Sequence, residues 1–303
     1  MNVVNVLSLS GGKDSTAMWL HVAKELGMEV YPIFADTGNE HEMTYEYVEY
    51  LERLVGPIHR VKADFTNQIA KKREFVSTKW REEGVPESIV MDALDVLSPT
   101  GNPFLDLCIW KGRFPSRMAQ FCTQELKMRP VQNDVFFPLM EQGNRVVNVV
   151  GVRAQESAVR AKYPEREDTP EGWEIWRPIL TWTVEDVFEC HKRHGVDPNP
   201  LYKLGMSRVG CMPCINCQKS ELFEIARRFP EVIDRIRNWE DIAGRASKRG
   251  ASSFFIHDDV AGKNIDEYVE WSKTSRGGRQ YDMFKLGAFE QVAACSSQYG
   301  LCE

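Results

Sequence analysis

Four short runs rich in β-branched residues constrain the fold most: VVNVLSL (3–9), VYPIFA (30–35), IHRVKA (58–63) and RVVNVVGV (145–152). Each is near-continuously apolar, the signature of a strand buried on both faces, as in a parallel sheet. Between them, TAMWLHVAKEL (16–26) and EMTYEYVEYLERLV (42–55) space apolar residues three and four apart, which predicts helices. A βαβ series follows, and with it an α/β fold whose helices cover both faces of a parallel sheet. From about Lys71 to Gly112 the series is interrupted by mixed charge and by Pro86, Pro99, Gly101 and Pro103, so this stretch reads as an insertion. After Pro200 the pattern changes to a cysteine cluster and then to helical segments such as 221–239. The expected organisation is a nucleotide-binding domain over 1–205 and a smaller, mostly helical, cysteine-bearing region over 206–303.

The first strand runs into Ser10-Gly11-Gly12-Lys13-Asp14-Ser15 and then a helix. A strand-to-helix turn of this kind aims backbone N–H groups and a helix N-terminus at one point, the glycines allow close approach, and Lys13 adds positive charge. An anion suits such a turn. The spacing is neither G-x-x-x-x-G-K-[ST] nor G-x-G-x-x-G. A plain glycine-serine turn with a capped helix is the bland reading.

The stretch resembles the PP-loop, SGGxDS, of the ATP pyrophosphatases. Further blocks resemble the phosphoadenosine phosphosulfate (PAPS) reductase and DndC-like branch of that superfamily: FADTGNEHEMTYEYVEYL (34–51), FCTQELKMRPV (121–131), GVRAQESAVR (151–160) and NPLYKLGMSRVGCMPC (199–214). The resemblance covers about residues 1–217 and implies an adenine nucleotide alpha-hydrolase-like fold. It also implies ATP and Mg²⁺ at a site built from Ser10, Gly11, Gly12, Lys13, Asp14 and Ser15. Lys13, Asp14 and Ser15 would be the catalytic members, with Asp14 orienting the ion or the loop.

The later blocks also carry readings of their own. Asp36-Thr37-Gly38 follows a strand, at the carboxyl edge where parallel sheets bind ligands. It could meet a ribose, a base or Mg²⁺, or be a turn with an aspartate cap. Arg153 follows another strand, and Arg160 falls seven residues on, about two helical turns later and so on the same face. Arginine suits bidentate phosphate or sulfate contact, and an Arg–Glu156 ion pair is the alternative.

Eight cysteines without export signals point to metal or redox chemistry more than to disulfides. Cys211, Cys214 and Cys217 stand at C-x₂-C-x₂-C spacing, which lets three thiolates converge on one centre. By resemblance to cluster-bearing relatives, Cys122 would be the fourth ligand of a [4Fe-4S] cluster. Those relatives use a Cys-Cys pair, whereas Phe121 precedes Cys122 here and Cys217 is extra. Which four ligate, whether only three do, and whether zinc uses the same set stay open, with the cluster preferred. PAPS reductases carry a nucleophilic cysteine in a C-terminal ECGLH motif; here Tyr299 holds that place, so Cys302 and Cys295 are the candidate nucleophiles or two ordinary cysteines. Cys108 and Cys190 read as core or incidental, and the six histidines show no metal spacing.

The net charge of -6 argues against a nucleic-acid binder throughout. Local basic faces remain: Lys273, Arg276 and Arg279 around two glycines, and the 111–129 stretch, where Lys111, Arg113, Arg117, Lys127 and Arg129 face Glu125 alone. No apolar run of about 18 residues or more is present, and a cytoplasmic protein without a membrane partner is expected. Sulfonucleotide reductases have a PP-loop that has drifted from SGGxDS, while this chain keeps it whole. The expected activity is therefore ATP cleavage to AMP and pyrophosphate, with sulfur transfer to tRNA, DNA or a small acceptor. Two alternatives stand beside it: PAPS or APS reduction, and a nucleotide-sensing subunit without turnover. The expected partners are the nucleotide, a cysteine desulfurase or thiol reductant, and a second copy of the chain.

Overall fold

The structure is a computed structural model that describes residues 2–255 and 264–274. Its sheet has six strands in the order β3-β2-β1-β4-β6-β5. These are β1 (Val3–Ser8), β2 (Tyr31–Asp36), β3 (His59–Lys62), β4 (Arg145–Val149), β5 (Arg166–Asp168) and β6 (Glu174–Trp176). All neighbours run parallel except β5, which pairs antiparallel with β6. The first four coincide with the apolar runs. β5 and β6 have three residues each, too short for a periodic signal in the sequence.

Alternate residues of the strands feed two cores. Leu7, Leu9, Val147 and Val149 pack on one face against Met18, Trp19, Leu51 and Val187. Val6, Ile33, Val146 and Val150 pack on the other against Val131, Val135 and Phe136. The two-residue period thus buries both faces under helices, as the apolar runs predict. The fold is α/β, a mostly parallel sheet with helices on both faces.

The strand order sets the site. From β1 the chain crosses to β2 and β3 on one side, then returns to β4 on the other side of β1. The sheet reverses its winding between β1 and β4, and ligands bind at such a switch point, outside the carboxyl ends of the strands. SGGKDS leaves β1 there, and Gly151-Val152-Arg153 leaves β4 beside it.

The chain divides into two compact units. One comprises Met1–Lys62 and Thr123–Met212 and holds the sheet; the other comprises Ala63–Cys122 and the described part of Pro213–Leu286. In the second unit, the stretch that interrupts the βαβ series and the post-cysteine helices build one core. Phe104 stacks on Trp239 at 5.5 Å between ring centres, and Lys72 Nζ donates to the carbonyls of Ile109 (2.8 Å) and Ala246 (2.9 Å). No helix among the described residues is long and apolar enough to cross a membrane.

Candidate nucleotide site

Helix α1 (Lys13–Trp19) has as its N-cap Gly12, which offers no side chain of its own, and continues as the π-helical segment Leu20–Glu25. Gly11 has φ +79°, and a Cβ there would stand 2.9 Å from a methyl of Thr44. Both facts require glycine. The two serines close the turn: Ser15 Oγ donates to the Gly12 carbonyl at 3.1 Å and lies 3.0 Å from Ser10 Oγ, and Gly12 N–H donates to Ser10 Oγ at 3.3 Å. Ser10, Gly11, Gly12 and Ser15 therefore each have a mechanical task in holding the loop.

The charges form a buried chain. Lys13 Nζ lies 3.1 Å from Asp14 Oδ2, and Arg153 Nε donates to Asp14 Oδ1 at 2.5 Å; the three side chains are 11%, 1% and 6% exposed. A carboxylate held between two cations is a loop anchor. Of the two roles expected of Asp14, orienting the loop is the one this geometry builds, and the three groups carry a net charge of about +1 when Lys13 and Arg153 are cationic. Gly151 makes the approach possible, since a Cβ there would lie 3.1 Å from backbone atoms of Asp14 and Ser15.

Residues 153–160 depart from the expected helix. Arg153 has extended dihedrals, and two short 3₁₀ turns, Ala154–Glu156 and Arg160–Lys162, flank the extended Ser157. The two arginines therefore do not share a helical face. Arg160 Nη1 pairs with Glu156 at 2.5 Å, while the Glu156 carboxylate also accepts the backbone N–H of Arg153 at 2.8 Å. The ion-pair alternative holds for Arg160, and Arg153 goes to Asp14 instead.

Three side chains that sequence reasoning did not single out hold the loop from behind. His191 Nε2 lies 2.8 Å from the Lys13 carbonyl, Asn199 Nδ2 donates to the Gly11 carbonyl at 3.1 Å, and Lys13 N–H donates to Tyr202 Oη at 3.0 Å. His191 sits in the helix Val184–His194, and Asn199 and Tyr202 flank the turn at Pro200. The Asn-Pro pair was a readable turn signal; nothing local marked His191.

Beyond β2, Asp36 Oδ1 accepts the Gly38 N–H (2.9 Å) and the Tyr45 hydroxyl (2.7 Å), so this oxygen serves the turn. Glu40, buried, accepts the Thr37 hydroxyl at 2.6 Å and the Tyr45 hydroxyl at 3.1 Å. Burial, then the Glu40 and Asp36 carboxylates, raise the Tyr45 phenol far above its ordinary range, which keeps it a neutral donor. Cys211 bridges backbone-to-backbone with Glu40, and its Sγ lies 3.4 Å from Thr37 Oγ1. The first cysteine of the run is thus seated on the loop after β2.

In the second unit, Cys217 N–H donates to the Cys214 carbonyl at 2.8 Å and Asn216 N–H to Cys214 Sγ at 3.5 Å. A turn that offers amide hydrogen bonds to sulfur suits a metal-bound thiolate. Among the described residues, Cys122, Cys214 and Cys217 do not bring all three sulfurs within 4.8 Å of one another. Cys108 is fully buried, and burial followed by the nearby Cys122 pushes its thiol well above the ordinary range, so it is a core residue. Cys295, Cys302 and the Arg276–Arg279 stretch lie outside the described residues.

The family model described as the phosphoadenosine phosphosulfate reductase domain matches residues 4–217. The chain belongs to that family. It is 47% identical over 328 aligned positions to the uncharacterized 37.8 kDa protein in the gpa 5′ region of Escherichia phage 186, covering 100% of this chain and 97% of the phage protein. It is 32% identical over 101 residues to the adenosine 5′-phosphosulfate reductase of Allochromatium vinosum, covering 33% of this chain and 36% of the reductase. The PAPS reductase of Candida auris, solved as a phosphate complex, aligns at 18% identity with a TM-score of 0.41, over 71% of this chain and 83% of that one.

Proposed function

We propose that this member of the PAPS reductase family is an adenylating enzyme that splits ATP to AMP and pyrophosphate and passes sulfur to the activated acceptor. The observation that carries the reading is the complete SGGKDS turn at the switch point, with Lys13 in the first turn of a helix whose N-cap is the side-chain-free Gly12. In this reading the β- and γ-phosphates lie along the loop, and Mg²⁺ arrives with ATP as its counterion. An oxygen of the acceptor attacks the α-phosphorus; the new P–O bond forms as the α–β anhydride bond breaks, and pyrophosphate leaves. Lys13 and the loop amides offset the charge that grows on the leaving group. Asp14 and Arg153 hold Lys13 in place. A sulfur nucleophile then displaces AMP from the acceptor, forming the carbon–sulfur bond as the carbon–oxygen bond breaks.

The seat of Cys211 on the loop after β2, in the unit that holds the phosphate turn, supports sulfur chemistry near the nucleotide. Cys122, Cys211, Cys214 and Cys217 are the thiols that would hold a [4Fe-4S] cluster, which when bound would supply a redox-active, sulfur-binding centre. A tRNA or DNA acceptor suits the basic 111–129 stretch, and a desulfurase or thiol suits the donor role. Sulfonucleotide reduction is the second reading, favoured by the likeness to the Allochromatium reductase. Lys13→Ala tests the first reading. Pyrophosphate release should fall by roughly 100-fold or more with the circular dichroism spectrum unchanged, and release at the wild-type rate would overturn it.

A further inference from the structure

The helix Val184–His194 carries Cys190 and His194 one turn apart, and the π-helical end of the first helix carries His21 and Glu25 likewise. The two segments pack against each other in the sheet-bearing unit. Their donors meet: the Cys190 sulfur, a His194 ring nitrogen and a Glu25 carboxylate oxygen all lie within 4.8 Å of one another. In sequence the histidines show no metal spacing and Cys190 reads as core or incidental. Cys190 is indeed fully buried, but a Cys-x₃-His pair facing a His-x₃-Glu pair is a constellation that only the packing of two helices reveals.

We infer that Glu25, Cys190 and His194 form a binding site for a single Zn²⁺ ion, with solvent in the fourth position. The donor set is thiolate, imidazole and carboxylate, the mixture that borderline-soft zinc accepts. Zinc bonds of about 2.0 to 2.3 Å hold ligand atoms roughly 3.3 to 3.8 Å apart, so the side chains need close by only about an ångström. The Glu25 carboxylate is already oriented. Its Oε2 takes a 2.7 Å hydrogen bond from His21 Nδ1, and its Oε1 lies 3.0 Å from His194 Nε2. His21 rests edge-on against Trp182, with ring centres 5.0 Å apart. An outer histidine that fixes a ligating carboxylate is the usual second layer of a metal site.

A cation already stands there. Arg193 donates to Glu25 Oε1 from Nε (3.0 Å) and Nη2 (2.6 Å), while its own side chain is 54% exposed. Zinc would displace this guanidinium into solvent. Binding makes Zn–S, Zn–N and Zn–O bonds, breaks the S–H bond of Cys190 and releases that proton to buffer; nothing is oxidised or reduced. Because His191 of the same helix holds the Lys13 carbonyl, the ion would also staple the two helices that support the phosphate turn.

The test is zinc titration of the full chain by calorimetry, with Co²⁺ absorption as the reporter of a thiolate ligand. Wild type should bind one equivalent that is lost in His194→Ala and in Cys190→Ser but kept in Cys214→Ser. His21→Phe should weaken binding about tenfold, and Arg193→Gln should tighten it by removing the competing cation. Circular dichroism identifies any variant that fails to fold, and the half-buried His194→Ala and exposed Arg193→Gln changes keep the test decisive. Equal stoichiometry in wild type and His194→Ala, or loss of the same equivalent in Cys214→Ser, would overturn the assignment.

Discussion

Asp14→Asn is the perturbation that most sharply probes the phosphate turn. The wild-type carboxylate lies between Lys13 and Arg153, with all three side chains at least mostly buried. Asparagine keeps the shape and an oxygen that can still accept from Arg153 Nε, but removes the charge. Two buried cations are then left without their anion. Removing one partner of a buried ion pair costs about 3 to 5 kcal/mol, and at roughly 2 to 4 °C per kcal/mol for a large domain the melting temperature should fall by about 6 to 20 °C. The same substitution raises the net charge of the turn by one unit, so an anion should recover more of the loss than it adds to wild type. A ligand at 100 times its Kd adds about 2.7 kcal/mol. Urea unfolding with and without pyrophosphate reads both effects. A loss under about 1 kcal/mol, or equal stabilisation of both proteins by pyrophosphate, would refute the buried charge chain.

Gly11→Ala combines a positive φ with a 2.9 Å approach to Thr44, so it should cost about 1 to 3 kcal/mol and weaken protection by pyrophosphate in thermal melts; Gly11→Ala with Thr44→Ser should recover the steric part. Lys72 gives a pH signature: burial lowers its ammonium from 10.5 to about 8 in the folded protein. Between those values the unfolded chain holds the proton and the folded chain does not, so stability rises with pH from about 8 to about 10.5, by up to about 3 kcal/mol at this site. Lys72→Met should flatten that slope in urea titrations taken at successive pH values, and a slope unchanged by the substitution would refute the assignment.

Where chemistry and sequence neighbourhood coincide, the chain was readable in advance. The strand runs announced β1, β2 and β4 because burial on both faces demands continuous apolar sequence, while the edge strand β3 buries Val61 alone, and SGGKDS announced its turn because glycine and serine act within six residues. The failures share a cause. His191, Asn199 and Tyr202 act on a loop nearly two hundred positions away, and the Cys190–His194 pair acquires meaning only against Glu25 from another helix. The shared helical face expected of Arg153 and Arg160 failed because Arg153 and Ser157 are extended, which leaves room only for single turns. Asp14 was expected to orient the ion or the loop; its partner Arg153 comes from the end of β4, a neighbour that the strand order creates.

The central claim is that the turn after β1 splits ATP. Anaerobically purified protein, incubated with Mg²⁺-ATP in one tube and with PAPS plus a thiol reductant in another, should yield AMP and pyrophosphate from the first when the products are weighed by mass spectrometry. Adenosine bisphosphate and sulfite from the second, with ATP left intact in the first, would contradict it and make SGGKDS a phosphate cradle for a reductase.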